Sequence, residues 1–486
     1  MLHSSHQDAA AYSHKEPAIE LLQMGPRLDT YDVVVIGGGN AALCAALTAK
    51  REAKKVLLIE RAPKPFRGGN TRHTRDIRYA HDHDDYTTGP YPVEEFLADL
   101  SRITGNQVTG PLARLTVEQS VDIPTMMEEH GVKWQAPLKG TLHLTRTNRF
   151  FLGGGKALIN TYYDTAARMG VTILYDTPVR KLLINDGRFE GAVITVNGAK
   201  TVVRANAVVV ASGGFEANLS WLARYWGSGA HNYIVRGGRY NDGTMLADLL
   251  AQGAMAVGNP RGFHAIAVDA RSPQYDGGIA TRVDSVPFGI VVNRTGTRFA
   301  DEGQDLWPKR YASWGALIAE QPGQMAYSLF DSKVRHLFIP PMYKPLKADS
   351  LPQLVDMLEA DRATSLETIR SYNEHIVDTA TFNPGVLDGC GTVGLELPKS
   401  NWALPIDTPP FYAYPLKPGI TFTYLGVAVD EKAHVLMQSG APMENVYAAG
   451  EIMAGNILTE GYLAGLGLTI GTVFGRIAGR EAARHA

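Results

Sequence analysis

Apolar runs of strand length alternate with segments of helical character along much of the chain. Residues 31–36 (YDVVVI) and 56–60 (VLLIE) are nearly continuous apolar runs, and residues 43–54 between them are rich in good helix formers. Two strands joined through a helix lie parallel in one sheet, so residues 31–60 are predicted to form a βαβ unit. The pattern therefore indicates an α/β fold.

The same alternation returns later in the chain, and a loop of sequence Asn-Asp-Gly at residues 185–187 favours a hairpin. The further predicted elements are a helix at 157–169, strands at 171–175, 207–211 and 446–449, a hairpin of 179–184 and 189–194, and a helix at 466–483. A parallel sheet that begins at residue 31 is thus expected to be completed by the C-terminal segment.

From residue 258 to residue 414 the regular alternation of strands and helices stops. Short strands, proline-containing loops and two helices near 351–360 and 364–378 are predicted there. We interpret this stretch as an inserted capping domain. The expected organisation is a flexible tail at 1–30, a nucleotide-binding domain in two parts at 31–257 and 415–486, and the insert at 258–414.

The amino-acid composition excludes several classes of function. The net charge of −2 over 486 residues provides no basic surface that would attract nucleic acid. The two cysteines, Cys44 and Cys390, form no metal-binding pair, so no metal site is predicted, and a reducing, cytoplasmic location is expected. The longest apolar stretch, residues 462–477, is broken by glycines and is shorter than the ~20 residues that span a bilayer, so no membrane span is expected.

The first strand runs directly into Gly37-x-Gly39-x-x-Ala42, and Glu60 follows at the end of the next strand. In such a unit the first glycine makes the turn, the second lets the backbone approach a pyrophosphate, and the small third residue allows close helix packing. An acidic residue at this distance accepts hydrogen bonds from a ribose and disfavours a 2′-phosphate. The motif predicts a site for FAD or NAD rather than NADP.

Six further stretches distinguish these two cofactors. They are residues 68–71 (GGNT), 153–157 (GGGKA), 211–215 (ASGGF), 241–244 (NDGT), 296–299 (GTRF) with Glu302, and 447–451 (YAAGE). In this order they resemble the flavoprotein family of fumarate reductases, succinate dehydrogenase flavoprotein subunits and 3-ketosteroid dehydrogenases. The resemblance runs from residue 31 to the C-terminus. It implies a Rossmann-like FAD-binding domain of the glutathione-reductase type, with an α+β capping insert.

The resemblance also implies which residues hold FAD. Residues 68–71 would face the flavin and phosphates, Val179 the adenine, and Glu451 the ribityl chain, although Glu451 could instead be a simple helix N-terminal acid. The predicted FAD-binding residues are Gly37, Gly39, Asn40, Ala41, Glu60, Arg61, Gly68, Gly69, Asn70, Thr71, Val179, Ala211, Gly213, Gly450, Glu451 and Gly467.

Two neighbouring features test the cofactor assignment. His73 is the one histidine near the first glycine loop that could attach a flavin covalently, but it lies outside the family's attachment motif, so FAD is expected to be non-covalent. Gly153-x-Gly155 could be a second dinucleotide loop for a nicotinamide cofactor. This loop does not follow a continuous apolar strand, which disfavours the nicotinamide alternative.

Within the family, the chain is similar to tricarballylate dehydrogenases at residues 69–75 (GNTRHTR), 299–303 (FADEG), 399–403 (KSNWA), 409–415 (PPFYAYP), 419–424 (GITFTY) and 461–465 (GYLAG). That likeness implies oxidation of a saturated carbon–carbon bond of a polycarboxylate, tricarballylate to cis-aconitate in type. A base removes a proton from one carbon, and a hydride passes from its neighbour to flavin N5.

Such a reaction needs cationic groups for the carboxylates, and arginine binds carboxylate with two parallel hydrogen bonds. The candidate catalytic residues are Arg282, Arg310, His264 and Tyr462, and the candidate substrate-binding residues are Arg72, Arg261, Thr421 and Thr423. Arg298 is expected to be structural, paired with Glu302. The chain departs from fumarate reductases, which carry His-His-Thr where it has Thr-Phe-Thr at 421–423 and an arginine where it has Tyr462.

These departures leave other functions open. The protein could be a reductase or desaturase of a fumarate-like acid, a cyclic ketone or a steroid, or a non-catalytic flavin electron-carrier subunit. Its electron acceptor could be a quinone, an electron-transfer protein or oxygen, because no iron–sulfur, haem or clear nicotinamide motif is present in the sequence.

Overall fold

The computed structural model of the protein describes residues 30–52, 54–82, 84–105, 110–137 and 144–486. Nearly all of the tail expected at residues 1–30 lies outside these ranges. Two sets of elements build the molecule, a mostly parallel sheet that carries the nucleotide-binding motif and an antiparallel sheet that packs beside it.

The twenty strands of the described chain are β1 (Tyr31–Ile36), β2 (Val56–Ile59), β3 (Asp76–Arg78), β4 (Trp134–Gln135), β5 (Asn148–Phe151), β6 (Thr172–Leu174), β7 (Val179–Asn185), β8 (Arg188–Val196), β9 (Ala199–Val203), β10 (Ala205–Val210), β11 (Ile234–Val235), β12 (Ala256–Val257), β13 (Phe263–Asp269), β14 (Ile290–Asn293), β15 (Ala326–Asp331), β16 (Leu346–Ala348), β17 (Phe411–Thr423), β18 (Gly426–Val427), β19 (His434–Leu436) and β20 (Pro442–Ala448).

The thirteen α-helices of the described chain are α1 (Asn40–Arg51), α2 (Val93–Ile103), α3 (Pro111–Glu118), α4 (Ile123–Glu129), α5 (Leu144–Thr147), α6 (Gly154–Arg168), α7 (Leu219–Trp226), α8 (Thr244–Ala251), α9 (Trp307–Arg310), α10 (Trp314–Ala319), α11 (Leu351–Val355), α12 (Arg362–Glu374) and α13 (Leu466–His485). None of them is both long enough and apolar enough to cross a membrane.

The first sheet has the strand order β19-β20-β10-β1-β2-β6. All neighbours from β20 to β6 are parallel, and β19 is antiparallel to β20. Val34 pairs with Leu57 on one side and Val208 on the other, and all three side chains are inaccessible to solvent. The central strands β1, β2 and β10 are largely buried, which explains why they are nearly continuous apolar runs rather than alternating ones. The predicted βαβ unit and its completion by the C-terminal segment are confirmed.

Helices α1 and α13 pack closely on one side of this sheet. A methyl group at Gly475 would lie 2.5 Å from the carbonyl oxygen of Ala41, and one at Gly479 would lie 2.3 Å from that of Ala45. Both distances are shorter than any van der Waals contact, so only glycine fits at these two positions. The C-terminal helix is thereby held against the helix that begins at the nucleotide-binding turn.

The second sheet has the order β11-β17-β15-β14, with β13 and β16 also paired to β17. Strand β17 extends from 411 to 423, on both sides of the expected boundary at residue 414, and β11 lies before the expected boundary at 258. The sheet therefore includes residues from both predicted domains. The domain limits themselves stay predictions.

Several element bounds differ from the sequence expectations. Helix α1 begins at Asn40, three residues before the predicted start, because the glycine turn feeds directly into the helix. The first helix of the insert is only Leu351–Val355, and the second ends at Glu374 instead of 378. The hairpin at 179–194 is present and gains a third strand, β9.

Candidate active site

The main cleft lies at the carboxyl ends of the parallel strands, where α/β sheets bind nucleotides. It is lined by Ile36 and Ile59, the last residues of β1 and β2, and by Ala211 and Ala449, which follow β10 and β20. Its cavity volume is about 210 Å³, whereas another pocket of the described chain, near Pro287, has about 10 Å³. This difference marks the cleft as the candidate site.

The glycine turn forms one wall of the cleft. Gly37 has a φ of +120°, and a methyl group there would lie 2.2 Å from the carbonyl oxygen of Ala211, so no other residue fits. Helix α1 starts three residues later at Asn40, with its N-terminus at the cleft. Free N–H groups and the helix dipole at that end favour a phosphate. The turn thus fits a pyrophosphate-containing cofactor.

Glu60 lines the cleft at the end of β2 and is itself tied into the backbone. Its Oε1 accepts a hydrogen bond from the N–H of Ala62 at 2.9 Å, and its Oε2 accepts one from the N–H of Gly68 at 2.9 Å. Burial raises the pKa of this carboxyl group. Glu60 therefore anchors the following loop in addition to facing the predicted ribose position.

The cleft brings together all but one of the predicted FAD-binding residues. The lining includes Gly37, Gly39, Asn40, Ala41, Glu60, Arg61, Gly69, Asn70, Thr71, Val179, Ala211, Gly213, Gly450, Glu451 and Gly467. Gly68 does not line it. A side chain at Gly68 would point at Ile159 at 2.9 Å, so this residue faces helix α6.

The second glycine loop, Gly153-x-Gly155, has a structural role. A methyl group at Gly155 would lie 2.0 Å from the carbonyl oxygen of Thr71, so Gly155 allows α6 to pack against the helical turn at residues 69–73. Gly155 also donates a backbone hydrogen bond to the carbonyl of Thr74 at 2.7 Å. These contacts favour a packing role over the alternative of a nicotinamide loop.

Four of the eight predicted substrate-site residues reach the cleft: His264, Arg282, Thr421 and Tyr462. His264 is on β13 and Thr421 on β17, whereas Arg282 and Tyr462 lie in loops. The antiparallel sheet and the segment before α13 therefore build this end of the cleft together. We call the part of the cleft that these four residues line the substrate end, or the chamber.

The other four residues lie elsewhere. Arg72 donates a hydrogen bond to the carbonyl of Pro65 at 3.3 Å, Arg261 is exposed, and Arg310 ends α9 without lining the cleft. Thr423 is fully buried behind the cleft wall, where its N–H donates to Glu451 at 2.8 Å. The expected structural pair of Arg298 with Glu302 is present, at 2.6 Å.

Two arginines that the sequence reasoning missed, Arg75 and Arg236, line the substrate end beside Arg282. Arg75 is the last residue of the GNTRHTR stretch, which was a usable signal. Arg236 follows the two-residue strand β11, and no sequence pattern singled it out. The backbone N–H of Arg236 donates to the carbonyl of Ile420 at 2.9 Å, which places it next to Thr421.

The three arginines differ in how far neighbouring carboxylates balance their positive charge. Arg282 pairs with Asp284 at 2.7 Å, and Arg75 contacts Asp76 at 3.3 Å. Arg236 is buried, and within the described residues its Nε and Nη1 have no hydrogen-bond partner. Burial lowers its pKa to about 10, with further lowering by Arg282 and Arg75. A buried cation without a partner is costly, so this chamber is built to receive an anion.

His264 is the one buried histidine of this chamber among the described residues. Its ring stacks on Tyr462 and meets Tyr311 edge-on with ring centroids 5.7 Å apart. Its Nδ1 has no hydrogen-bond partner within the described chain. Burial, and then the charges of Arg236 and Arg282, hold the pKa of His264 well below its usual value. The imidazole is therefore neutral at physiological pH.

His73, the candidate for covalent attachment, also lines the cleft but is occupied by another contact. Its Nε2 lies 3.2 Å from Oδ1 of Asp276. Burial and the neighbouring Arg72 lower the pKa of His73 to about 4, against the opposing effect of Asp276. The residue joins the helical turn at residues 69–73 to the loop around Asp276.

Known proteins are similar over most of this chain. A probable fumarate reductase, Ifc3, of Shewanella frigidimarina is 29% identical, over 94% of this chain and 76% of the relative. An NADH:fumarate oxidoreductase of Klebsiella pneumoniae is 27% identical over 94% of this chain, which spans only 48% of that protein.

Among solved structures, the open conformation of a flavocytochrome c3 fumarate reductase matches with a TM-score of 0.73 and 25% identity, over 94% of this chain and 79% of that one. The FAD-binding fold expected from the sequence is thereby confirmed. The family model described as "FAD binding domain" matches residues 32–467, nine-tenths of the chain. The protein therefore belongs to this family of FAD-binding flavoproteins and is an FAD-dependent oxidoreductase.

Proposed function

We propose that the protein is a dehydrogenase that oxidises a saturated carbon–carbon bond of a polycarboxylate, tricarballylate to cis-aconitate in type. The observation that carries this proposal is the cluster of three arginines at the substrate end, of which Arg236 is buried without a partner in the described chain. Among the described residues, the ion-pair partners of these three guanidinium groups are two carboxylates, those of Asp76 and Asp284. One or more anionic groups of a substrate would complete the charge balance.

The arginines approach the chamber from different elements, so together they can hold more than one carboxylate. Arg75 precedes β3, Arg236 follows β11, and Arg282 follows a single helical turn at 279–281. The hydroxyl of Thr421 is buried without a hydrogen-bond partner in the described chain and supplies a further polar contact. Such a set suits a compact molecule with two or three carboxylates better than a steroid, which is mostly apolar.

His264 is the residue that we assign as the base. Its neutral imidazole has an unpartnered Nδ1 among the described residues and lies among the arginines that would hold the substrate. Bound carboxylates would neutralise part of the positive charge of Arg236 and Arg282 that depresses its pKa, so the base becomes stronger once substrate is in place. The phenols of Tyr311 and Tyr462 are both buried, which raises their pKa and keeps them protonated. They are hydrogen-bond donors, not bases.

The residues of the glycine turn, Glu60 and Glu451 would hold FAD along the first part of the cleft. Bound flavin supplies the hydride acceptor of the reaction. Because His73 is occupied by Asp276, we propose that FAD is held non-covalently. We further propose a cytoplasmic protein that passes its electrons to a quinone, an electron-transfer protein or oxygen.

The reverse reaction is the second candidate, in which an unsaturated acid is reduced. The similarity to proteins named as fumarate reductases favours it, and so do the protonated phenols of Tyr311 and Tyr462, which could donate a proton to carbon. Oxidation of a cyclic ketone or steroid, and a non-catalytic electron-carrier role, are the remaining alternatives. Neither of these two alternatives explains a buried arginine that has no partner in the described chain.

Anaerobic bleaching of the flavin absorbance tests these alternatives. The purified protein with bound FAD is mixed in turn with tricarballylate, succinate, a cyclic ketone and a 3-ketosteroid. We expect rapid bleaching by tricarballylate and slow or no bleaching by the ketones. Re-oxidation of chemically reduced protein by fumarate or cis-aconitate measures the reverse direction. Absence of bleaching by every di- and tricarboxylate would overturn the proposal.

A matched pair of variants ties the result to the chamber. Arg236→Met removes the unpartnered cation from the cleft, and Arg261→Met removes an exposed arginine that lies outside it. Bleaching by tricarballylate should be lost in Arg236→Met and retained in Arg261→Met. Equal rates in the two variants would contradict a carboxylate-binding role for the chamber.

A further inference from the structure

The side chain of Asn70 lies between two backbone segments that carry residues of the substrate end. Its Oδ1 accepts a hydrogen bond from the N–H of Gly238 at 2.9 Å, two residues after Arg236. Its Nδ2 donates to the carbonyl of Thr421 at 2.7 Å and to Oε1 of Glu216 at 2.5 Å. One side-chain amide is therefore bonded to both segments.

These contacts begin where the pairing of two strands ends. Strand β11 is parallel to β17, the last pair of this ladder is Val235 with Ile420, and no further pair follows in the described chain. The N–H of Arg236 still donates to the carbonyl of Ile420 at 2.9 Å. A primary amide supplies a donor and an acceptor, the same two groups that a strand backbone offers. The amide of Asn70 thus replaces the strand contacts that are missing beyond this point.

Gly237 makes room for the amide. A methyl group at this position would overlap Oδ1 of Asn70, so a side chain there would push the amide and the backbone apart. The carbonyl of Arg236 accepts a further hydrogen bond from the N–H of Gly278 at 3.0 Å. The backbone at 236–238 is therefore fixed by β17, by the loop at Gly278 and by Asn70.

The position of Arg236 depends on this backbone. Its Nε and Nη1 have no hydrogen-bond partner within the described residues, and the hydroxyl of Thr421 has none either. Both side chains therefore have polar groups available for an anion. Positioned groups lose much of their effect when they are displaced by about 1 Å. Contacts that fix the two backbones therefore affect how well a carboxylate is held.

We propose that Asn70 is a positioning residue that holds Arg236 and Thr421 at the spacing that a substrate carboxylate requires. Both amide hydrogens of Asn70 are used within the protein, so its side chain can offer FAD at most one acceptor. Asn70 acts on the substrate through its two neighbours and not by contact with it. This role rests on the proposed function, since the chamber must bind a carboxylate.

Calorimetric titration with citrate tests the role of Asn70 in protein that is saturated with FAD. The central carbon of citrate carries a hydroxyl group and no hydrogen, so citrate cannot lose hydrogen across a CH–CH bond and reports binding alone. Asn70→Ala should raise the citrate dissociation constant about tenfold, within the range of coupling between residues in contact. An unchanged constant would overturn the proposal.

Gly237→Ala disturbs the same contact from its other partner. The new methyl group must displace the amide of Asn70 or the segment that carries Arg236. This variant should therefore also weaken citrate binding, and it decides the question if Asn70→Ala does not fold. Citrate binding equal to that of the wild type would contradict the role of Asn70.

Arg236→Lys shows whether Asn70 acts through Arg236. A lysine ammonium is a point charge on a flexible stem without a planar fork, so its contact with an anion depends less on the backbone position. In the Arg236→Lys background, Asn70→Ala should change the citrate constant by less than about twofold. The same factor in both backgrounds would show a merely structural role and overturn the proposal.

Asn241→Ala is the matched control. The amide of Asn241 also donates to Oε1 of Glu216, at 2.7 Å, but within the described chain it forms no hydrogen bond with Gly238 or Thr421. This variant should keep the citrate constant within about twofold of the wild-type value. An equal loss in Asn70→Ala and Asn241→Ala would show that only the contact with Glu216 matters, which contradicts a positioning role.

Bleaching by tricarballylate, measured on the same proteins, separates this role from the proposed reaction. A wild type that binds citrate but is not bleached would overturn the reaction, and the citrate comparison would still decide the role of Asn70. A wild type that is bleached, with equal citrate binding in Asn70→Ala, would support the reaction and overturn the role of Asn70.

Discussion

The imidazole of His264 lies flat against the phenol of Tyr462, with ring centroids 3.9 Å apart and 7° between the ring planes. The hydroxyl of Tyr462 accepts a hydrogen bond from the N–H of Gly467 at 2.9 Å, at the start of α13. The tyrosine is thereby fixed by the backbone of the cofactor domain, and it in turn fixes the plane of the histidine. The base that we assign is oriented from the FAD side of the cleft.

Replacement His264→Gln should slow flavin reduction by substrate by about 10²- to 10⁴-fold, because a positioned general base is lost. FAD binding should be unchanged, since His264 lies at the substrate end. Stopped-flow bleaching measures the rate, and the flavin spectrum monitors cofactor content. A variant that reduces its flavin at the wild-type rate would exclude His264 as the base.

The pH dependence of flavin reduction follows from the same residue. The base works when neutral, and burial holds the pKa of His264 well below its usual value. At substrate concentrations far below saturation, where the rate reports the protein without substrate, flavin reduction should therefore keep a constant rate as pH falls through about 6.5, the ordinary histidine value, and decline only at lower pH. Tyr462→Phe keeps the stacked ring and should keep this profile. An acid limb centred near 6.5 in both proteins would contradict the assignment.

Replacement of Arg236 and of Arg282 by methionine should have different effects on the stability of the protein. Arg282→Met leaves the buried carboxylate of Asp284 without its cation, which should cost about 3–5 kcal/mol of stability. Arg236→Met removes a buried charge that has no partner in the described chain, so stability should be unchanged or higher. Both variants should lose substrate binding. Urea unfolding of the two proteins checks the contrast, and an equal loss of stability would contradict it.

Glu60→Gln should weaken FAD binding without changing the substrate preference. The variant loses a charged acceptor for the N–H groups of Ala62 and Gly68 and for the ribose, and hydrogen bonds to charged groups contribute about 1.5–3 kcal/mol. A ten- to hundredfold rise in the FAD dissociation constant is the corresponding change, about 1.4 kcal/mol per tenfold. Fluorescence titration measures it. Arg261→Met, outside the cleft, should bind FAD like the wild type.

The convergence of the glycine turn and Glu60 on one cleft could be predicted because the sequence signals are local. Gly37 and Glu60 are joined by one helix and one strand, so the spacing along the chain determines their spacing in the fold. The five parallel strands of the first sheet were predicted, since the central ones are buried and form nearly continuous apolar runs, whereas the short antiparallel strand β19 was missed.

The substrate end could not be read in the same way, because its residues meet only through long-range pairing. Arg236 reaches the chamber because Ile234 of β11 pairs with Gly419 of β17, more than 180 residues later. Arg310 was a candidate catalytic residue from the sequence, yet it ends a short helix and does not line the cleft. Thr423 was expected to contact substrate, and instead it supports Glu451 from behind the cleft wall.

The close packing of α1 on α13 gives a last prediction that links the fold to the cofactor. In Gly475→Ala the new methyl group would lie 2.5 Å from the carbonyl oxygen of Ala41, in the first turn of α1. The two helices must separate, which should cost about 1–3 kcal/mol despite the higher helix propensity of alanine. Because the N-terminus of α1 faces the phosphate position, FAD affinity should fall with stability.

Gly198→Ala separates this effect from general strain. Gly198 has a φ of +80° and nothing within 4 Å of the added methyl group, so the variant should lose about 1–2 kcal/mol through backbone strain alone. Thermal unfolding and FAD titration are measured for both variants. Gly198→Ala should retain FAD affinity at its lower stability, whereas Gly475→Ala should lose both. Retained affinity in Gly475→Ala would show that the helix N-terminus contributes little to FAD binding.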